Sequence, residues 1–201
     1  MKVRIAVSAA ALLLSSAVAV SAADLALGSP APMTDVKMKN VDGKDVTIAQ
    51  AKGEKGTLVV FTCNHCPYSK GWEERIVAMG NEYSKRGIGV IAVNSNDPAV
   101  AAEDDFGAMQ SRAKERGMTF PYVVDATSGV AKAFGATRTP EAFVFDASGK
   151  LVYHGTIDDN MQNASAVKET YLKDALESVA TGKDVAVKET KALGCGIKFR
   201  T

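Results

Sequence analysis

The chain has 201 residues, 46% of them hydrophobic, and balances 24 Lys and Arg against 23 Asp and Glu. That length supports one domain with its own core, and the near-neutral charge argues against nucleic acid or an anionic membrane surface as a partner. Three cysteines and two histidines are too few for the paired motifs of a structural zinc site, so no metal is expected.

Residues 1–22 read as a bacterial-type secretory signal peptide. Lys2 and Arg4 form the charged region, Ile5 to Val20 the apolar run, and Val20-Ser21-Ala22 or Ser21-Ala22-Ala23 the cleavage site. The competing reading is a retained anchor, but the run is short and diluted by Ser and Ala. Cleavage removes two cations and no acid, moving the formal charge from +1 to −1. The expected location is periplasmic or secreted, with no membrane contact after cleavage, because no later segment is apolar enough to span a bilayer. The mature chain, 23–201, reads as one domain with a C-terminal tail over 182–201.

Val41-Asp42-Gly43-Lys44 is a turn signal, and with Val46-Thr47-Ile48 it predicts a small N-terminal hairpin. Leu58-Val59-Val60-Phe61 reads as a buried strand. Trp72, Ile76, Met79 and Tyr83 recur at helical spacing, predicting a helix that runs to about Arg86 and stops at Gly87. Ile88 to Val93 is a second buried strand, parallel to the first in a βαβ unit. Asn94-Ser95-Asn96-Asp97-Pro98 then forms a turn at the strand end where α/β sites assemble, although each residue by itself reads as a cap or turn former.

Phe106, Met109 and Ala113 give a helical face closed by Gly117. Phe120 to Asp125 is a short strand that Pro121 demotes to an edge or a strand start. Val130, Ala131 and Phe134 predict a short helix. Ala142 to Phe145 and Leu151 to Tyr153 form a hairpin, which makes the sheet mixed. Val167, Tyr171, Leu172, Ala175, Leu176 and Val179 mark a last amphipathic helix.

The chemistry lies at Thr62-Cys63-Asn64-His65-Cys66-Pro67, a CxxC between a strand and a helix. Unpaired N–H groups and the positive end of the helix dipole collect there. Cys63 is expected to face them as thiolate, the nucleophile of disulfide exchange. Cys66 is expected one turn in, on the same face and within disulfide reach. Pro67 is tolerated because its missing N–H has no helical partner to lose. In this context redox chemistry outweighs a zinc half-site.

Strand-CxxC-helix, a βαβ unit and the Thr139-Pro140 step before a hairpin together resemble the thioredoxin superfamily. In that family a cis-proline lies against the CxxC, and Pro140 matches it by position. The pieces Phe61 to Tyr68, Asn94 to Asp97, Phe120-Pro121-Tyr122, Gly155 to Asn160 and Gly194 to Lys198 resemble exported redoxins of the AhpC/TSA type. The resemblance implies a thioredoxin-like α/β fold, with a central mixed sheet flanked by helices. It also implies a thiol-disulfide oxidoreductase, Cys63 attacking and Cys66 resolving, with Thr139 and Pro140 lining a substrate groove. It implies no dissociable cofactor. The implied partners are thiol- or disulfide-bearing proteins and a redox-recycling partner.

Two departures bear on activity. True peroxiredoxins carry Thr three residues and Pro seven residues before the reactive Cys; here Val60 and Gly56 stand there, which weakens a thiol peroxidase reading. The strand before the CxxC also lacks the buried Asp of thioredoxin. Asn64 and Pro67 are expected to modulate the site. His65 either bonds to the Cys63 thiolate, making the disulfide more oxidising, or faces solvent with a small effect. A copper-handling protein of this fold is a further alternative, with His154 as third ligand. That reading is disfavoured by the two-residue cysteine gap and by the expected position of His154 on an outer strand. Cys195 is left over when the CxxC pairs, and it reads as a buried inert thiol, an intermolecular partner or a third redox thiol.

Overall fold

The computed structural model describes residues 25–200, so the expected leader, residues 1–22, lies outside the described residues. In chain order the elements are β1 (Met38–Asn40), β2 (Asp45–Val46), α1 (Ile48–Ala51), β3 (Gly56–Phe61), α2 (Pro67–Ser84) and β4 (Ile88–Asn94). Then come α3 (Phe106–Arg116), β5 (Tyr122–Val124), α4 (Gly129–Phe134), β6 (Arg138–Thr139), β7 (Glu141–Asp146), β8 (Leu151–Gly155), α5 (Tyr171–Ala180) and β9 (Cys195–Gly196).

Seven strands form one sheet in the order β2-β1-β5-β4-β3-β7-β8, and β6 pairs separately with β9. β4 runs parallel to β3 and β5, whereas β7 lies antiparallel to β3, so the sheet is mixed. Side chains alternate across a strand, and β3 shows the result. Leu58 and Val60 face Trp72, Ile76, Met109 and Leu176 from α2, α3 and α5. Val59 and Phe61 face Ile48, Val130 and Phe134 from α1 and α4. The sheet therefore carries helices on both faces. Phe61, Phe134 and Phe143 meet edge to face at centroid separations of 5.2–5.7 Å. Each such pair contributes about 0.5–1.5 kcal/mol beyond area burial, which fixes the end of β3 from which the CxxC departs.

Four local expectations need correction. Thr47-Ile48 does not extend a strand: Thr47 caps α1, its hydroxyl accepting the Gln50 N–H while the Gln50 side chain accepts the Thr47 N–H. That reciprocal pair of bonds satisfies two helix-end donors and outweighs the β preference of the segment. The long helix ends at Ser84, before Gly87 (φ +90°). β5 is internal, between β1 and β4, so the edge alternative fails, while Pro121 directly precedes its first residue as the strand-start alternative has it and takes no donor from the ladder. Val167 lies before α5, after a single 3-10 turn at Ala164–Ala166.

The tail is built into the fold. His154 N–H donates to Lys188 O and Thr190 N–H to His154 O, both at 3.0 Å, so the tail covers the outer side of β8. Paired backbone there removes an open edge. No helix among the described residues is long and apolar enough to cross a membrane.

Candidate active site

The CxxC leaves β3 and leads into α2, but the helix begins after the motif rather than at Cys63. Pro67 is its first residue and Cys66 its extended N-cap (φ −70°, ψ 128°). Cys66 is thus not one turn in; a proline fits the first helical position better than the middle of the first turn. The Cys66 N–H points back to Cys63 Sγ at 3.4 Å, and Ser69 Oγ stands 3.7 Å from the same sulfur.

Both sulfurs converge on Thr139. Its hydroxyl oxygen lies 3.2 Å from Cys63 Sγ, and the Cys66 thiol donates to its carbonyl at 3.0 Å. The Thr139–Pro140 bond is cis. Cys63 is 4% and Cys66 1% exposed, so neither sulfur faces open solvent.

The sulfurs titrate as a pair. The bond between them raises one thiol and lowers the other, while burial raises both and the Asp104 charge raises Cys63. One proton thus lies between them, and the first ionisation is easy while the second is hard. The groups around the two sulfurs decide which of them keeps that proton. Cys63 has an N–H and hydroxyls around it, whereas Cys66 faces a carbonyl, which suits a protonated thiol.

Asn64 turns inward rather than toward the sulfurs. Its N–H donates to Asp104 Oδ1 at 2.6 Å, its amide to Glu103 O at 2.8 Å, and it accepts from the Tyr122 hydroxyl at 3.1 Å. Asp104 also accepts from Asn94 and Asn96 at 3.0 and 2.8 Å. The turn after β4 therefore underlies the CxxC loop through a buried carboxylate. His65 goes outward: its side chain is 46% exposed, with Nδ1 3.7 Å from Glu103 Oε1. Pro67 holds the helix start, and Cys195 pairs in register with Thr139.

Sequence reasoning missed Asp104, Ser69 and Glu141. Glu141, 3% exposed, accepts from the Thr137 and Arg138 N–H groups at 2.8 Å and pairs with His154 Nε2 at 2.7 Å. His154 stacks on Phe143 at 4.3 Å between centroids, so its ring is engaged on the strand. Among the described residues no group of three or more His, Cys, Asp or Glu is arranged to hold a metal ion. The identity of Asn64 was visible in the sequence; its anchoring carboxylate, forty residues on, was not.

A CxxC at a strand-to-helix junction, facing a Thr-Pro step on a mixed sheet, defines a thioredoxin-like thiol redox protein. The chain belongs to the AhpC/TSA family, which matches residues 27–154. It is 27% identical over 151 residues to the thiol-disulfide oxidoreductase ResA of Geobacillus thermodenitrificans, covering 72% of this chain and 79% of that one. The structure of an uncharacterized conserved protein from Geobacillus kaustophilus is similar at 36% identity and a TM-score of 0.81, covering 87% of this chain and 93% of that one. A thioredoxin-like protein in the oxidized form shares the fold, with a TM-score of 0.61 at 23% identity over 77% of this chain and 98% of that one. The chain is an oxidoreductase of the thiol-disulfide class.

Proposed function

We propose that this is an exported thiol-disulfide oxidoreductase that exchanges disulfides with protein or small-thiol partners through Cys63 and Cys66. The observation that carries the reading is the convergence of both sulfurs on Thr139, with hydroxyl and N–H groups around Cys63 and a carbonyl beside Cys66. Cys63 as thiolate attacks one sulfur of a partner disulfide; a Cys63–partner bond forms and the other partner sulfur leaves as thiolate. Cys66, deprotonated, then attacks Cys63 Sγ, forms the Cys63–Cys66 bond and releases the second partner thiolate. The partner gains two electrons and the protein loses two. The reverse sequence oxidises a dithiol, and a recycling partner restores the starting state.

Asn64 and Pro67 hold the loop, and Thr139 and Pro140 line the groove. The AhpC/TSA match and the ResA resemblance support the same chemistry. The apolar run of residues 5–20 supports export. The test is incubation of reduced mature protein with oxidised glutathione, followed by acid quenching and thiol counting. Formation of a Cys63–Cys66 disulfide in the parent, with glutathione trapped on Cys63 in Cys66→Ser, is the expected result. A parent chain that exchanges with neither oxidised glutathione nor insulin overturns the reading. N-terminal sequencing of protein recovered from an export-competent host tests cleavage after residue 22 or 23.

A further inference from the structure

The tail does more than cover a sheet edge. After leaving β8 it crosses the active site, where β9 pairs antiparallel with β6, Cys195 opposite Thr139 and Gly196 opposite Arg138. It is tied on the far side as well. Ile197 N–H donates to Thr137 O at 3.0 Å, Lys198 N–H to Asn96 Oδ1 at 2.8 Å, and Asp97 N–H to Lys198 O at 2.7 Å. Ile197 and Phe199 pack into the core on the α4 side of the sheet.

Gly194 makes the crossing possible. A methyl group there would collide with the Thr139 carbonyl, coming 2.7 Å from its carbon and 3.2 Å from Pro140 N. Thr139 is thus gripped from two sides, by the Cys66 thiol at its carbonyl and by the tail along its strand. Cys66 Sγ reaches the Thr139 carbonyl at 3.0 Å and Cys195 stands opposite Thr139 in the strand pair, so both cysteines meet at the same residue. The AhpC/TSA match ends at residue 154, so Cys195 lies outside it.

We propose that Cys195 is a third reacting thiol, seated on β6 as an internal partner, and that it exchanges with Cys66. This rests on the reading of Cys63 and Cys66 as the redox pair. Starting from the Cys63–Cys66 disulfide, the Cys195 thiolate attacks Cys66 Sγ. The Cys66–Cys195 bond forms, the Cys63–Cys66 bond breaks, and Cys63 leaves with the electron pair as thiolate. Cys195 loses its proton and Cys63 can take one, so the chain stays at the disulfide oxidation level. The result frees Cys63 for a second partner and ties the tail across the groove.

In the reduced protein burial and the Cys66 sulfur hold the Cys195 thiol up, while Lys198 and the Tyr68 N–H draw it down. Once Cys66 is in a disulfide its sulfur no longer holds the Cys195 proton, which is the state in which attack is required.

The test is disulfide mapping of full-length mature protein oxidised with glutathione disulfide, quenched with acid and blocked with N-ethylmaleimide. A Cys66–Cys195 peptide alongside Cys63–Cys66, with alkylated Cys63 in the same fraction, is expected. Gly194→Ala, which keeps all three thiols, should lower the Cys66–Cys195 product roughly tenfold or more through the clash. Cys63→Ser oxidised with diamide should lose both remaining thiols in one chain without cross-linking. If the parent forms only Cys63–Cys66 and Cys63→Ser keeps its thiols or dimerises, Cys195 is structural and the exchange reading stands. If the parent forms no disulfide with glutathione at all, the exchange reading itself falls.

Discussion

Cys66 Sγ lies 3.0 Å from the main-chain carbonyl oxygen of Thr139, seventy-three residues further along the chain. An S–H donates to a carbonyl and a thiolate does not, so this contact favours the proton on Cys66 and the charge on Cys63. The Thr139 hydroxyl oxygen, 3.2 Å away, accepts from the Cys63 thiol, and by turning to donate once Cys63 ionises it draws that thiol downward. The threonine of the Thr-Pro step thus differentiates two chemically identical thiols.

The first prediction follows from that hydroxyl. Thr139→Val keeps the shape and the carbonyl but removes a group that draws the Cys63 thiol downward. A hydrogen bond to a charged group contributes about 1.5–3 kcal/mol. Alkylation of Cys63 at pH 7 should therefore slow roughly tenfold or more, and the midpoint of its pH profile should rise. An unchanged profile means that Thr139 does not serve the Cys63 thiolate.

Asp104 should set the redox poise. Its charge raises Cys63, which disfavours the thiolate and so stabilises the disulfide relative to the dithiol. Asp104→Asn keeps an oxygen for the Asn64 N–H and removes the charge. The sign is then a lower Cys63 pKa and a higher reduction potential; one pKa unit, about 1.4 kcal/mol, corresponds to roughly 30 mV for this two-electron couple. Equilibration with glutathione at graded ratios measures it, and a fall in potential contradicts the assignment.

Much of this site was legible in the chain, for physical reasons. Leu58 to Phe61 is buried on both faces, so it reads as a continuous apolar run, and the CxxC follows it directly. What stayed hidden depends on long-range placement. Glu103, Asp104 and Asp105 are consecutive acids with nothing in the sequence to tell them apart, yet they divide three ways. Glu103 pairs with Lys70 at the surface, Asp104 is buried under Asn64, and Asp105 caps α3 through the Ala108 N–H. Thr47 and Gln50 did carry the spacing of a capping box, a signal lost to the β-branched run around it. The two-residue pairing of β9 with β6 has no periodicity for a sequence to show.

Stability should fall at alkaline pH. Burial holds the Tyr122 hydroxyl well above the ordinary phenol range, and burial likewise raises Tyr153. Their contribution is complete below the unfolded phenol pKa near 10. As pH rises past that value the unfolded chain loses protons that the folded chain keeps, costing up to about 1.4 kcal/mol per pH unit for each tyrosine. The urea midpoint at pH 11 should lie below that at pH 9, and Tyr122→Phe should flatten the dependence. Tyr122→Phe also removes the bond to Asn64, so it should lower stability at neutral pH as well.

Glu141 should matter for stability far more than a surface acid. It sits in the interior beside Pro140, bonded to the Thr137 and Arg138 N–H groups and to His154. Glu141→Ala strands two main-chain donors and a ring nitrogen, and breaking a buried pair in this way costs about 3–5 kcal/mol. Chemical denaturation checks the loss. A change below about 1 kcal/mol, the scale of an exposed pair, would mean that the three partners find other acceptors.

The last prediction concerns His65, whose position inside the CxxC suggests direct control of the thiolate. The fold turns its ring away: the side chain is 46% exposed and lies 3.7 Å from Glu103 Oε1, while Glu103 is held by Lys70 at 2.6 Å. Asn64 forces this orientation, because its N–H and amide are fixed inward on Asp104 and Glu103, and the next residue in the turn must point outward. An exposed charge beside an opposite charge acts weakly on a third group, since solvent and salt screen it. His65→Ala should therefore shift the reduction potential by less than about 10 mV, a fraction of the shift expected for Asp104→Asn. It should remove any salt dependence that the His65–Glu103 pair confers. A drop of roughly 30 mV or more, which corresponds to a full tenfold change in the exchange equilibrium, would show that the imidazole swings onto Cys63 when the thiolate forms. Measuring both variants in the same glutathione buffers separates a buried charge acting through the protein from an exposed ring acting through water.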